Sequence, residues 1–103
     1  MQTLRFRLTA KRRLSGKKDK AIIGVVASGN LEVLLERVLP EAACELDIAT
    51  PLSGYDDTWE AVVAEFVERS SPGGLRISIN DGGVRPDTVF LRLMQGSALM
   101  EAE

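Results

Sequence analysis

The residues best suited to chemistry in this chain are a serine and its small neighbours, Ala27-Ser28-Gly29-Asn30, which interrupt two apolar runs. A serine hydroxyl acts as a nucleophile beside a base, and it can also carry a phosphate-linked group. Taken alone, Ser-Gly-Asn is typical of a turn. The alternative is a serine held out for something to be attached to it, and the stretch by itself leaves both interpretations open.

The sequence offers no partner that would make Ser28 a catalytic nucleophile. It has no histidine and one cysteine, which excludes Ser-His-Asp and Cys-His sites, histidine metal ligands and an intrachain disulfide. Asp56 and Asp57 are adjacent, so they suit a helix start better than paired acid–base chemistry across a substrate. Cys44 is most simply a small buried hydrophobic residue. We therefore expect no independent catalyst.

Charge is distributed unevenly along the chain. Residues 1–20 contain eight basic residues and one acidic residue, whereas the remainder contains five basic and 14 acidic residues. The stretch KRRLSGKKDK, at about 11–20, predicts a basic loop that either contacts an anion or is simply solvated, and the sequence favours the solvated loop. No aromatic residues interleave with the basic ones, and no nucleic-acid-binding motif follows, so we expect no nucleic-acid partner.

The sequence also bears on the compartment. The longest apolar run, AIIGVVA, is too short to span a bilayer, and a secretory signal is disfavoured because 20 residues with an aspartate precede it. A lone cysteine fits a reducing compartment. We therefore expect a cytoplasmic protein with no membrane partner.

The elements that must position Ser28 are mainly strands. Alternating apolar and polar residues predict strands at TLRFRL, CELDIATPL, LRISI and TVFLRL, and AIIGVVA has the composition of a buried strand. LEVLLERV satisfies both the strand and the helix period. We favour a strand, because two apolar runs joined through Gly-Asn are typical of a hairpin, with Ser28 at its tip.

One amphipathic helix is predicted with greater clarity. In DDTWEAVVAEFVERS, five apolar residues fall at helical spacing: Trp59, Val62, Val63, Phe66 and Val67. Asp57 and Glu60 have the spacing of a capping box, and SSPGG ends the helix. MQGSALMEAE is expected to form a short helix or a frayed tail. The predicted fold class is α+β, a mainly antiparallel sheet with the helix at about 57–70 packed on it, as one domain over 1–103.

The stretch ASGNLEVLLE resembles the signature of the malonate decarboxylase acyl carrier protein (delta subunit) family and, more distantly, the carrier chain of citrate lyase. Further motifs follow in the same order: TPLSG, then Trp59 at the helix start, then DGGVRP followed by VFLRLMQ. The resemblance covers about 25–95. The helical acyl carriers of fatty-acid synthesis use an Asp-Ser-Leu motif instead, which this chain lacks.

Four positions depart from the pattern of that family. Asn30 stands where the family usually has aspartate, which keeps the size and hydrogen bonding but loses a charge. Gly82 replaces a usual aromatic residue, Arg85 a small residue and Asp87 a usual glycine. These changes affect partner recognition more than the modification site.

The resemblance implies a modification site and a function. Ser28 would carry 2'-(5''-phosphoribosyl)-3'-dephospho-coenzyme A through a phosphodiester, and Gly29 and Asn30 would flank it as recognition residues. The chain would be a non-catalytic carrier that presents acetyl and malonyl thioesters, with no metal. Its partners would be the transferase and decarboxylase subunits of malonate decarboxylase and a dedicated prosthetic-group transferase. The basic loop is a guessed contact for the prosthetic phosphates.

A second hypothesis belongs to a different class of protein. The chain would then be a non-enzymatic interaction or regulatory module with an anion-binding basic arm at residues 11–20. Such a module would be indifferent to Ser28, and its binding would be sensitive to salt.

Overall fold

A computed structural model describes residues 2–24 and 30–102. Within them the chain forms five strands and two helices, numbered in chain order. The strands are β1 (Gln2–Thr9), β2 (Lys20–Gly24), β3 (Leu31–Arg37), β4 (Ala43–Thr50) and β5 (Leu75–Asp81). The helices are α1 (Asp56–Ser70) and α2 (Pro86–Glu101).

The strands form one sheet in the order β1-β4-β5-β3-β2. Neighbouring strands are antiparallel except β4 and β5, which run parallel because α1 crosses over between them. The α+β fold with a mainly antiparallel sheet is therefore confirmed. β2 and β3 are antiparallel neighbours, as the predicted hairpin requires, although residues 25–29 at its tip lie outside the described residues.

One face of the sheet supplies the core beneath both helices. Leu31, Val33 and Leu35 of β3 are fully buried, which confirms LEVLLERV as a strand. The corresponding residues of β4 and β5 join the same apolar cluster as Phe66 and Leu93 of the helices. Burying alternate residues of each strand against two amphipathic helices is the main favourable contribution to folding.

The opposite face of the sheet is polar. Arg5 lies 2.8 Å from Asp47, and Glu45 lies within 4 Å of both Arg7 and Arg76. Glu45 and Asp47 thus lie on the polar face, opposite the buried Cys44, Leu46 and Ile48 of the same strand. Partly exposed ion pairs of this kind contribute little to the free energy of unfolding. Their main effect is to keep this face of the sheet polar.

Helix α1 confirms the amphipathic prediction but begins differently. Trp59 and Phe66 are buried, and the helix ends where Ser71 adopts φ 51° and its N–H donates to the carbonyl of Val67. The N-cap residue is Tyr55, with no side-chain capping bond. The capping box predicted at Asp57 and Glu60 is therefore wrong, because Asp57 already lies inside the first turn.

The strand predicted at TVFLRL is also wrong, because these residues belong to α2. The α2 residues Val89, Leu93, Gly96 and Met100 are buried at helical spacing, whereas Leu91 is 61% exposed, which breaks the apparent alternation. Pro86 opens the helix, where its missing N–H costs nothing. The predicted C-terminal short helix is thus the second half of a longer one. In the described part of the chain, neither helix is long and apolar enough to cross a membrane.

Candidate functional site

Ser28 and Gly29 lie outside the described residues, so the site is built from Asn30, which follows them directly. The carbonyl oxygen of Asn30 accepts a hydrogen bond from the N–H of Gly82 at 2.7 Å. Its side-chain Oδ1 accepts one from the N–H of Leu31 at 2.8 Å. The chain that leaves Ser28 is therefore fixed, two residues later, to the turn that follows β5.

Asp81 organises that turn. The side chain is nearly buried, and its Oδ1 accepts hydrogen bonds from the N–H groups of Gly83 and Val84 at 3.0 and 2.9 Å. Its Oδ2 accepts a hydrogen bond from the Thr50 hydroxyl at 2.8 Å. Three donors thus satisfy a buried carboxylate and hold the 82–84 backbone beside Asn30.

Thr50 and Asp81 are the positioning residues that the sequence analysis did not identify. Both belong to motifs quoted for the family resemblance, the first to TPLSG and the second to DGGVRP. In the sequence, Thr50 is marked only by the proline that follows it at a strand end, and Asp81 only by the two glycines after it. Neither pattern predicts that the two side chains are hydrogen bonded to each other.

A mostly apolar cavity of about 160 Å³ lies at the same end of the sheet. It opens between the N-terminal turns of the two helices, and we call it the interhelical cavity. Its lining residues are Tyr55, Thr58, Trp59, Val62, Asp81, Val84, Pro86 and Val89. Trp59 and Val89 are buried, whereas Tyr55 is half exposed. Because Asp81 is shared, the cavity and the turn bonded to Asn30 are direct neighbours.

The basic loop lies at the other end of β2. Lys20 pairs with Glu36, whereas Gly24, nearest to the site, pairs with Glu32. Lys20 and Gly24 are four residue steps apart along the strand, a distance of about 13 Å. Gly16 packs against the backbone of Met100 and Glu101, at the end of α2. The guess that this loop contacts phosphates attached at Ser28 is therefore not supported by the structure.

Two arginines hold the basic loop to the body of the protein. Arg37 donates hydrogen bonds to the carbonyls of Leu14, Ser15, Lys18 and Met100. Four hydrogen bonds to backbone carbonyls from one guanidinium fix the loop against the last turn of α2. These hydrogen bonds therefore argue against the hypothesis that the basic loop is a free arm that binds anions.

Arg13 adds a second attachment. Its Nη1 donates hydrogen bonds to the carbonyls of Leu39 and Glu41, at 3.0 and 2.8 Å. The loop's first lysine, Lys11, pairs with Glu68 at 3.0 Å. The loop is thus attached to the body at several points along its length.

Cys44 is not a reactive thiol. It is 1% exposed, and burial raises the pKa of its thiol to about 12, with the neighbouring Glu45 carboxylate adding to the rise. A thiol with that pKa stays protonated near neutrality and is a poor nucleophile. Its interpretation as a small buried hydrophobic residue is confirmed. Among residues 2–24 and 30–102, no three His, Cys, Asp or Glu side chains gather in a way that could hold a metal ion.

Comparisons with known proteins agree on one family. A family model described as the malonate decarboxylase delta subunit (MdcD) matches residues 18–100. A malonate decarboxylase acyl carrier protein from Bradyrhizobium diazoefficiens is 59% identical over 95 residues, 92% of this chain and 90% of the relative. One from Xanthomonas axonopodis pv. citri is 46% identical over 101 residues, 98% of this chain and 96% of the relative.

This chain belongs to the malonate decarboxylase acyl carrier protein family. A solved structure supports the same assignment: a chain in the crystal structure of a Pseudomonas malonate decarboxylase hetero-tetramer in complex with malonate has a TM-score of 0.84 and 34% identity. The match covers 97% of this chain and 99% of that chain. The resemblance based on ASGNLEVLLE and the motifs after it is therefore confirmed at the level of the family.

Two features near the predicted tip, an edge strand and an apolar cavity, can be compared with what an acyl carrier needs. A carrier needs a point of attachment and a surface that tolerates a long, partly apolar group. The structure supplies an edge strand, β2, leading into the predicted tip, with Ile22 61% exposed along it. It also supplies an apolar cavity beside the turn that is hydrogen bonded to Asn30. The described residues near the predicted tip thus leave space for a covalently attached prosthetic group.

Proposed function

We propose that this chain is the acyl carrier subunit of a malonate decarboxylase and that Ser28 carries the prosthetic group. Membership in the acyl carrier family, with the match over residues 18–100, supports the proposal. The observation that carries the site is the anchoring of Asn30, two residues from Ser28, to the turn organised by Asp81. Within this proposal, residues 1–103 form a single acyl-carrier domain.

The proposed group is 2'-(5''-phosphoribosyl)-3'-dephospho-coenzyme A, joined to the Ser28 Oγ by a phosphodiester. When bound, it would supply a terminal thiol that carries acetyl or malonyl as a thioester, whose carbonyl stabilises the carbanion left by loss of CO₂. Ala27 and Gly29 are small, so they leave room for the transferase that attaches the group. Asn30 fixes one end of the loop, and with Gly29 it forms the flanking recognition element.

The proposal needs no catalytic side chain in this protein. The carrier presents the thioester, and partner subunits supply the reacting groups, which agrees with the lack of histidine. Tethering keeps the substrate at an effective concentration on the order of millimolar near each active site. The similar chain solved within a malonate decarboxylase hetero-tetramer supports assembly with other subunits. We propose that these are the transferase and decarboxylase subunits, in the cytoplasm.

The decisive experiment is intact-protein mass spectrometry with peptide mapping. The chain is co-produced with the prosthetic-group transferase, which is shown to be active on a known carrier. We expect an adduct on the peptide that contains Ser28, no adduct in Ser28→Ala, and normal loading in the matched variant Ser53→Ala, whose serine is exposed between β4 and α1. The Ser28→Ala chain should fold normally yet abolish malonate turnover by the assembled complex. A loaded Ser28→Ala chain, or an unmodified wild-type chain, would refute the proposal.

A further inference from the structure

We propose that the interhelical cavity receives the uncharged acyl end of the group carried on Ser28 and leaves a malonyl end in solvent. This inference rests on the proposed function. The cavity, of about 160 Å³, is bounded by Trp59, Val62, Val84 and Val89. A protein cavity of about 150 Å³ accommodates a benzene molecule, which has six heavy atoms. An acetyl thioester with its two adjoining methylene carbons also has six, so the terminal part of the group fits and the rest stays outside.

The attachment point is close enough for the group to fold back. Two peptide units separate Ser28 from Asn30, which limits their Cα atoms to about 8 Å apart. Asn30 is hydrogen bonded to Gly82, the residue after Asp81, which itself lines the cavity. The cavity therefore lies within reach of any pantetheine-type group attached at Ser28.

The charges around the cavity favour a neutral occupant. In the described part of the chain no basic side chain lines it, and Asp81 already contributes a buried carboxylate. The positive ends of the helix dipoles face Asp56 and Asp57 in α1 and Asp87 in α2. The nearby Arg85 pairs with Asp87, and its side chain is 84% exposed. A malonyl carboxylate entering here would lose its hydration without gaining a basic side chain as a partner, whereas an acetyl group carries no charge to desolvate.

The expected binding is weak, which suits a carrier. Six heavy atoms in a small apolar cavity give dissociation constants on the order of millimolar. A flexible tether provides an effective concentration on the order of millimolar as well. The cavity is thus occupied for part of the time, and the acyl end leaves it readily when a partner subunit approaches.

The test uses small thioesters added to the full chain with Ser28→Ala, so that the result does not depend on modification. The probes are S-acetyl-N-acetylcysteamine and S-malonyl-N-acetylcysteamine, followed by NMR. Trp59 is the only tryptophan, so its indole N–H gives one signal at the cavity. We expect saturable shifts of Trp59 and of the Val62, Val84 and Val89 methyl groups with the acetyl probe. The malonyl probe should bind at least tenfold more weakly.

Filling variants separate the cavity from the general surface. Val62→Phe and Val84→Phe each reduce the space, and both should lower acetyl-probe affinity at least fivefold. Ala64→Phe adds the same ring at an exposed position of α1 and should leave the affinity unchanged. Equal binding of both probes, no saturable shift with acetyl, or equal effects of the filling and control variants would overturn the inference. Failure of Ser28 loading would be a failure of the proposed function, and it is distinguished from a failure of the cavity because probe binding to Ser28→Ala is measured without loading.

Discussion

The Asp81 carboxylate joins the end of β4 to the turn after β5 through three hydrogen bonds. It receives the Thr50 hydroxyl from the end of β4 and two backbone N–H groups from the turn after β5. Within that turn, the N–H of Gly82 donates a hydrogen bond to the carbonyl oxygen of Asn30. The Asp81 side chain thereby holds the turn to which the Asn30 backbone is hydrogen bonded.

Replacing Asp81 by alanine should destabilise the protein strongly. The change leaves the Thr50 hydroxyl and the N–H groups of Gly83 and Val84 without their acceptor, at a cost of about 2–4 kcal/mol in the free energy of unfolding. Urea denaturation measures this cost. Asp81→Asn keeps an acceptor oxygen for the two N–H groups and should recover at least half of it. An Asp81→Ala protein within about 0.5 kcal/mol of wild type would contradict this role.

The burial of Cys44 leads us to expect a lower free energy of unfolding at alkaline pH. In the unfolded chain its thiol has its ordinary pKa of 9.0, whereas burial raises the pKa to about 12 in the folded protein. Above pH 9 the unfolded state therefore binds fewer protons, and the free energy of unfolding falls as the pH rises to about 12. Near pH 10.5 the loss is about 2 kcal/mol.

The matched variant for this effect is Cys44→Ala, compared with wild type by urea denaturation at pH 8 and pH 10.5. Alanine lowers stability at both values because it removes a buried side chain. The difference between the two pH values should be smaller in the variant, since other titrating groups are shared. Equal differences in both proteins would show that folding does not raise the pKa of this thiol.

At the scale of elements, Arg37 connects the basic loop to α2. Arg37→Met keeps most of the side-chain volume but removes the donor to four backbone carbonyls, and we expect a loss of about 2–3 kcal/mol. Differential scanning calorimetry and urea denaturation measure it. The control Arg12→Met changes an exposed arginine of the same loop and should stay within about 0.5 kcal/mol of wild type. Similar losses in both variants would indicate a general charge effect.

The elements that the sequence predicted correctly have a regular pattern of large apolar residues. Strands β1, β3, β4 and β5 alternate because one face of the sheet is buried, and α1 repeats its apolar residues every three or four positions. The first half of α2 was predicted as a strand because Val89, Leu91 and Leu93 alternate, although Leu91 is 61% exposed. The helical period continues into two small buried residues: Gly96 packs against Leu35, and Ser97 Oγ lies 3.0 Å from Ser70 Oγ. Small and polar residues carry little hydrophobic signal, so the helical period was hidden.

The candidate site could be predicted only in part, for a different physical reason. The residues around Ser28 follow from a local motif, which sequence shows directly. The bond between Thr50 and Asp81 joins residues 31 positions apart, and it forms because β4 and β5 are parallel neighbours. The interhelical cavity likewise depends on where two helices begin relative to the sheet. Contacts of this kind result from tertiary packing and are not encoded in any short stretch.

At the scale of the whole molecule, basic charge and the proposed attachment point lie at opposite ends of β2. Changing Lys17, Lys18 and Lys20 together to glutamine should therefore leave the rate of prosthetic-group loading within twofold of wild type. The measurement is the time course of the mass increase with a fixed amount of transferase. Circular dichroism of the unloaded protein serves as the folding control. A tenfold slower reaction of the folded variant would show that the transferase also uses the far end of the sheet.

The hydrogen bond between Asn30 and Gly82 also affects when the site can form during synthesis of the chain. The ribosome makes Ser28 long before it makes Gly82, and β3 acquires its inner neighbour only when β5 has been added. A two-stranded hairpin alone has little stability in water. A chain interrupted before residue 82 therefore contains the serine without the turn that anchors it, so the complete site is available only after nearly the whole protein has been translated.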